Sequence, residues 1–209
     1  AVTPPFPVEA WEAGRDDKSR IQKTSPLWWG VDISSDRGHA SIAVCGKRKD
    51  GAWHVELAEY RSGTAWLIKW FQMTAPKYPG GMRVALQSKG APIASLMDVL
   101  AAIDGVEIVE CSGKDVAGWC GRMYDAVAAG SGGSEATPVY HVSQPALDLA
   151  ANIAATRPMG DGAWAWDRNR SLEDISPLVA ATMALGAATQ IEKTKAYESA
   201  YKSHGVRVI

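Results

Sequence analysis

Two apolar runs, Leu27-Trp28-Trp29-Gly30-Val31-Asp32-Ile33 and Ala40-Ser41-Ile42-Ala43-Val44, are joined by the polar turn Ser34-Ser35-Asp36-Arg37-Gly38, and no other stretch constrains the chain as strongly. Two such runs around a short turn read as a β-hairpin. A strand that is apolar nearly throughout is buried, and Asp32 stands near the end of the first one. A lone carboxylate there costs several kcal/mol unless it is paired or binds a cation. Asp32 is therefore a functional-site candidate. The competing reading is a carboxylate satisfied by backbone N–H groups of the turn.

With 209 residues, 46% hydrophobic and 22% charged, the chain can build one sizeable core, and a single domain with tails is expected. The formal net charge of −1 announces no global basic field, so any nucleic-acid binding must use a local patch. Cys45, Cys111 and Cys120 share no metal-binding spacing and read as core thiols in a reducing compartment. No apolar run approaches the roughly 18 residues of a membrane span, and the start lacks a signal-peptide core, so a cytosolic protein is expected. Nine Trp against two Phe is unusual. Trp66 and Trp70 fall on one helix face and Trp164 and Trp166 alternate on a strand, which favours core packing over a base-stacking platform. His39, His54, His141 and His204 share no metal spacing, and His141 reads as structural.

Residues 1–26 carry four prolines and a mixed-charge run without periodicity, as expected of a linker or arm. Strands follow near 27–33, 40–46 and 53–60, then a helix over 64–75. A strand at 83–87, a helix at 92–102 and a strand at 106–110 come next. After a helix from Lys114 to Ala129 and a Gly/Ser loop, a strand at 139–142 and a helix at 144–156 are expected. A strand at 163–168 and an apolar helix over 174–189 complete the body, and 190–209 read as a polar tail. Three antiparallel strands followed by parallel βα units give an α/β mixed sheet with helices on both faces.

A second acid, Asp174, opens the last helix in Glu173-Asp174-Ile175-Ser176-Pro177-Leu178, where N-capping by Ser171 or Asp174 is the plainer role. An acid on the first strand and another at the start of a late buried helix, in this element order, is the arrangement of the ribonuclease H-like nucleases. Within that fold the chain resembles the nuclease domain of the large terminase subunit of tailed double-stranded DNA phages, over about residues 27–188. The resemblance rests on Gly30-Val31-Asp32, the strand and Gly-Ala-Pro turn at 84–92, Gly113-Lys114-Asp115, 141–148, 164–168 and 174–181. It implies that Asp32 and Asp174 are catalytic and ligate one or two Mg²⁺ or Mn²⁺ ions, hard cations that suit oxygen donors. It also implies double-stranded DNA as substrate, the portal and the small terminase subunit as partners, and the cytoplasm of an infected bacterial host as location.

The family's large subunit also carries an ATPase domain, and this sequence has no G-x-x-x-x-G-K-[ST] phosphate loop. The proline-rich start fits a linker from that missing domain. Where the family usually places its second acid, this chain has Gln87. Three readings stay open: a natural Gln with Asp36, Glu173 or Glu56 substituting; an engineered Glu→Gln change; or one tightly held ion with a second arriving with DNA. A natural Gln is favoured because Ser88-Lys89-Gly90-Ala91-Pro92 continues smoothly from it. Arg37, Lys89, Arg168 and Arg170 are the expected DNA contacts, within a basic rim that also includes Lys47, Arg48 and Lys49. A DNA-binding or docking module with a degenerate centre, and another ribonuclease H-like enzyme such as a resolvase or transposase core, are the alternatives.

Overall fold

The apolar runs form the expected hairpin: Trp28–Ile33 (β1) pairs antiparallel with His39–Lys47 (β2) in the computed structural model, which describes residues 5–113 and 115–204 and the side chains through Gln190. The first four residues of the expected linker, Lys114 of the expected helix start and the last five residues of the expected tail lie outside the described residues. Trp53–Ser62 (β3) adds antiparallel to β2, and a register shift at Ile42/Ala43 marks a bulge. Met82–Gln87 (β4) joins β1 in parallel, Val106–Cys111 (β5) joins β4 in parallel, and Val139–Tyr140 (β6) joins β3 in parallel. The six-stranded order is β5-β4-β1-β2-β3-β6.

Period-two alternation sends the two faces of this sheet into separate cores. Trp29, Val31 and Ile33 of β1 pack with Leu67 and Phe71 of Trp66–Thr74 (α2) and Leu100 of Met97–Ala101 (α3). Trp28 packs on the opposite side, with Asp115–Ala129 (α4), Pro145–Ile153 (α5) and Ser176–His204 (α6). The start of α6 lies hard against β1, because the apposed positions are Gly30, Ala180 and Ala184; a Cβ on Gly30 would stand 1.9 Å from the Ala180 carbonyl oxygen.

Three segments depart from the sequence expectation, the first being the helix expected over 174–189, which runs on as α6 to His204 through residues expected as tail. The helix expected to run to Thr156 stops at Ile153, and Ala155–Gly160 (β7) forms an antiparallel pair with Ala163–Asp167 (β8) apart from the main sheet. The described part of 1–26 includes a short helix, Ala10–Ala13 (α1), and packs on the body: Phe6 and Trp11 are buried, stacked 5.8 Å apart, with Trp166 edge-on to Phe6. Burial of two such rings contributes about 1.5–3 kcal/mol each. Trp11 also stacks on His141, whose Nε2 hydrogen-bonds the Trp11 carbonyl at 2.9 Å, which gives His141 its structural role. Residues 14–16 run alongside His141 as a short parallel bridge, extending the sheet edge at β6.

The three cysteines are buried free thiols, and burial pushes Cys111 up to about 12. Six of the nine tryptophans are buried, as core packing requires. Among the described residues no helix is long and apolar enough to cross a membrane.

Candidate active site

The sheet register assembles a polar row at one end of the α6-facing side. Gly30 faces α6, so Asp32, two residues on, projects from the same face. Gly30 stands beside Ala85 in the parallel β1–β4 pair, which places Gln87 alongside Asp32. On the other flank Ser41 is opposite Asp32, and Tyr60 is opposite Ser41. The start of α6 is hydrogen-bonded to this row. Ser176 Oγ meets Ser41 Oγ at 2.8 Å, and the Tyr60 hydroxyl donates to Asp174 Oδ2 at 3.1 Å. Asp174 also accepts from the Ser176 backbone N–H at 2.8 Å and the Ser176 hydroxyl at 2.9 Å, so it caps the helix as well as facing the row.

Asp32 is 1% exposed, and its partner is Arg168. Arg168 Nε donates to Oδ2 at 3.2 Å and Nη2 to Oδ1 at 2.8 Å, a two-point fork, and Nη2 also donates to Gln87 Oε1. Burial raises the Asp32 carboxyl to about 6; Arg168 opposes the rise and the negative charge of Asp174 adds to it. Burial and then Asp174 likewise push the Tyr60 hydroxyl up to about 12. Asp36 is held below the usual carboxylate range by the Ser34 hydroxyl and the Gly38 N–H within the hairpin turn. Beside the row opens a cleft of about 250 Å³ lined by Ser34, Asp36, Arg168, Glu173 and Asp174, among others.

The raised Asp32 carboxyl has a measurable consequence. Its folded value of about 6 lies above the reference 3.8, so the folded state takes up the proton first. Stability from this group is fully present below about pH 4 and is lost as pH rises through about 6, at a cost of roughly 3 kcal/mol. In EDTA, Asp32→Asn is expected to gain stability over the wild type as pH rises through that window. Urea unfolding midpoints of both proteins across it check this; a constant difference would refute it.

The structure brings Asp32, Asp174 and Gln87 to one place, with Asp36 and Glu173 on the cleft wall. Glu56, the other suggested substitute, instead stands 3.4 Å from His54. Of the expected DNA contacts, Lys89 and Arg170 are exposed, and Arg170 lies 3.6 Å from Asp167. Arg37, at φ 58°, hydrogen-bonds Ser95 Oγ and the Pro92 carbonyl, tying the hairpin turn to the segment after β4. Arg168 points inward onto Asp32 and is 14% exposed. Sequence reasoning missed Ser41, Tyr60 and Ser176. The signal was register: counting across the hairpin from Asp32 reaches Ser41, and one strand further reaches Tyr60.

Among the described residues no three acidic, histidine or cysteine side chains converge closely enough to hold a metal ion. The donors at the row are two carboxylates and the Gln87 amide oxygen, hard ligands that suit one Mg²⁺ or Mn²⁺. The Arg168 guanidinium already occupies the side of the row between Asp32 and Gln87.

The mixed sheet with helices on both faces and this acid placement define a ribonuclease H-like fold. Solved structures that share it include phage large terminases and their nuclease domains. The bacteriophage HK97 large terminase is 18% identical with a TM-score of 0.54 over 90% of this chain and 44% of its own. This chain thus spans less than half of that protein. The large terminase nuclease of thermophilic phage G20c, solved with magnesium, is 10% identical with a TM-score of 0.57 over 84% of this chain and 95% of its own. A K428A variant of the bacteriophage Sf6 nuclease domain, solved with manganese, is 12% identical with a TM-score of 0.58 over 88% of this chain and 99% of its own. No protein-family sequence model and no curated protein sequence matches the chain.

Proposed function

We propose that this chain is the nuclease domain of a phage large terminase, a divalent-metal-dependent endonuclease that cuts double-stranded DNA with little sequence preference during genome packaging. The observation that carries the reading is the meeting of Asp32 from the first strand with Asp174 from the start of the last helix, beside an open cleft, in a fold shared with terminase nucleases. The G20c and Sf6 structures were solved with magnesium, cobalt or manganese, which supports Mg²⁺ or Mn²⁺ as the cofactor. Asp32 and Asp174 would hold the ion, and Gln87, whose amide oxygen accepts from Arg168, lines the site. When bound, the ion supplies an activated water and neutralises charge on the scissile phosphate. The chain's own residues orient that centre: Tyr60 and Ser176 fix the Asp174 carboxylate, and Arg168 fixes Asp32. Lys89, Arg170 and Arg37 are the candidate phosphate contacts of the rim, and such contacts give affinity without sequence preference. By the same reading the domain works in the host cytoplasm alongside the ATPase domain of its subunit, the portal and the small terminase subunit.

The test is conversion of supercoiled plasmid to nicked and linear forms in millimolar Mn²⁺ or Mg²⁺, with none in EDTA. One observation favours a second reading: Gln87 replaces an acid and Arg168 already neutralises Asp32. On that reading the chain is a DNA-binding module, and metal-independent binding without cleavage at millimolar Mn²⁺ would establish it.

A further inference from the structure

A guanidinium that forks onto one acid and also reaches the amide beside it occupies a defined cation position. Arg168 Nε and Nη2 engage both carboxylate oxygens of Asp32, at 3.2 and 2.8 Å, and Nη2 continues to Gln87 Oε1. The group is held in place: its side chain is 14% exposed against an acid that is 1% exposed. The turn that carries it is pinned too. Asp167, which ends β8, accepts from the backbone N–H groups of Asn169 and Arg170 at 3.0 and 3.2 Å, and its carbonyl accepts from the Ser171 hydroxyl at 2.6 Å.

Charge balance gives this arrangement a purpose. Two metal ions held by three carboxylates leave one net positive charge to meet a phosphate. With Gln at position 87 the acids that meet are Asp32 and Asp174, with Asp36 and Glu173 on the cleft wall, and two divalent ions on the meeting pair would leave two net positive charges. Two carboxylates, one guanidinium and one divalent ion restore the balance of one positive charge. Arginine suits the task because its fork is planar, matches a carboxylate at two points and stays charged at any working pH. Gln87 fits it as well, since a neutral amide accepts from the guanidinium without competing for it as a second anion would.

We propose that Arg168 stands permanently where a second metal ion would sit, between Asp32 and Gln87, so that this centre takes one divalent ion and uses a fixed guanidinium as its other positive charge. The proposal rests on the nuclease reading for its purpose, but it is tested by counting ions rather than by following cleavage. The full chain, freed of metal and titrated with Mn²⁺, is read by the loss of the free-ion paramagnetic resonance signal and by calorimetry. The wild type is expected to take up one Mn²⁺ at this centre, and Asp174→Asn to take up none. Gln87→Glu alone is expected to keep the count at one, because the new carboxylate pairs with Arg168. Gln87→Glu combined with Arg168→Gln is expected to raise it to two, and Gln87→Glu with Arg168→Lys to leave it at one. Circular dichroism confirms that each variant is folded before it is counted.

Two ions, or none, at this centre of the wild type overturns the proposal without any variant. Two ions in Gln87→Glu alone also overturns it, since the missing acid and not the arginine would then set the count. One ion bound by a protein that leaves plasmid DNA intact would sink the nuclease reading and keep the ion count. Cleavage with two ions bound would do the reverse.

Discussion

Asp32→Asn and Asp174→Asn are each expected to lower Mn²⁺-dependent plasmid cleavage on the order of 10³-fold, the scale of losing a preorganised electrostatic contact at a reacting phosphate. Asparagine is chosen over alanine because each acid also serves the fold. Asp174 accepts from the Ser176 N–H at 2.8 Å to cap α6, and Asn can keep that bond while losing the charge. Asp32 pairs with Arg168, and an alanine there would leave a mostly buried guanidinium facing an empty place, at a stability cost unrelated to catalysis. Asn keeps the side-chain volume at both positions, and the stability of Asp32→Asn relative to wild type should rise with pH as the wild-type carboxyl, raised to about 6, ionises. Nicking rates on supercoiled DNA, measured beside thermal midpoints, separate the two effects. Full activity in either folded variant would remove that acid from the centre.

Gly30→Ala is expected to cost at least about 3 kcal/mol, enough to lower the thermal midpoint by roughly 10 °C. The added Cβ would fall 1.9 Å from the Ala180 carbonyl oxygen and 2.7 Å from the Ala184 nitrogen, and both obstacles are helix backbone that cannot rotate away. The only relief is to lift α6 off β1, which also pulls Asp174 from the row containing Asp32. Cleavage should therefore fall together with stability, although Gly30 touches no ligand. Gly121→Ala is the control: it lies in the interior of α4 with nothing within 4 Å of its would-be Cβ, and should stabilise by about 0.5–1 kcal/mol through helix propensity. Differential scanning calorimetry of both variants checks the contrast. A Gly30→Ala protein as stable as wild type would show that α6 does not depend on this close approach.

The strands of the main sheet were legible because each is a short apolar run bounded by turn residues, and the helices followed from βα alternation. What escaped did so for physical reasons. Ala155-Thr156-Arg157-Pro158-Met159-Gly160 is largely exposed and contains a proline, so nothing in its composition distinguishes a two-strand edge pairing from a loop. The segment before Trp28 has no periodicity because it is held by a few point contacts, chiefly Phe6 and Trp11, and a pattern cannot report a single aromatic ring finding a pocket. At the centre, Asp32, Gln87 and Asp174 could be proposed from strand and helix ends. The direction of Arg168 could not, because a long side chain after a strand end reaches inward or outward with equal ease until the neighbouring turn is known. Tyr60 lay in plain view, and only the pairing of β2 with β3 aims its hydroxyl at Asp174.

The row that holds the acids joins the first strand to the last helix, with Asp32 and Asp174 separated by 142 positions of chain. Its consequence concerns synthesis. On a ribosome adding about 5–20 residues per second, Asp32 emerges many seconds before Asp174 exists. During that interval the hairpin that bears Asp32 has no α6 to cover it and no second carboxylate to face. If the proposed nuclease reading holds, a growing chain would lack a complete centre, and cutting competence would arrive only when translation has passed the final helix.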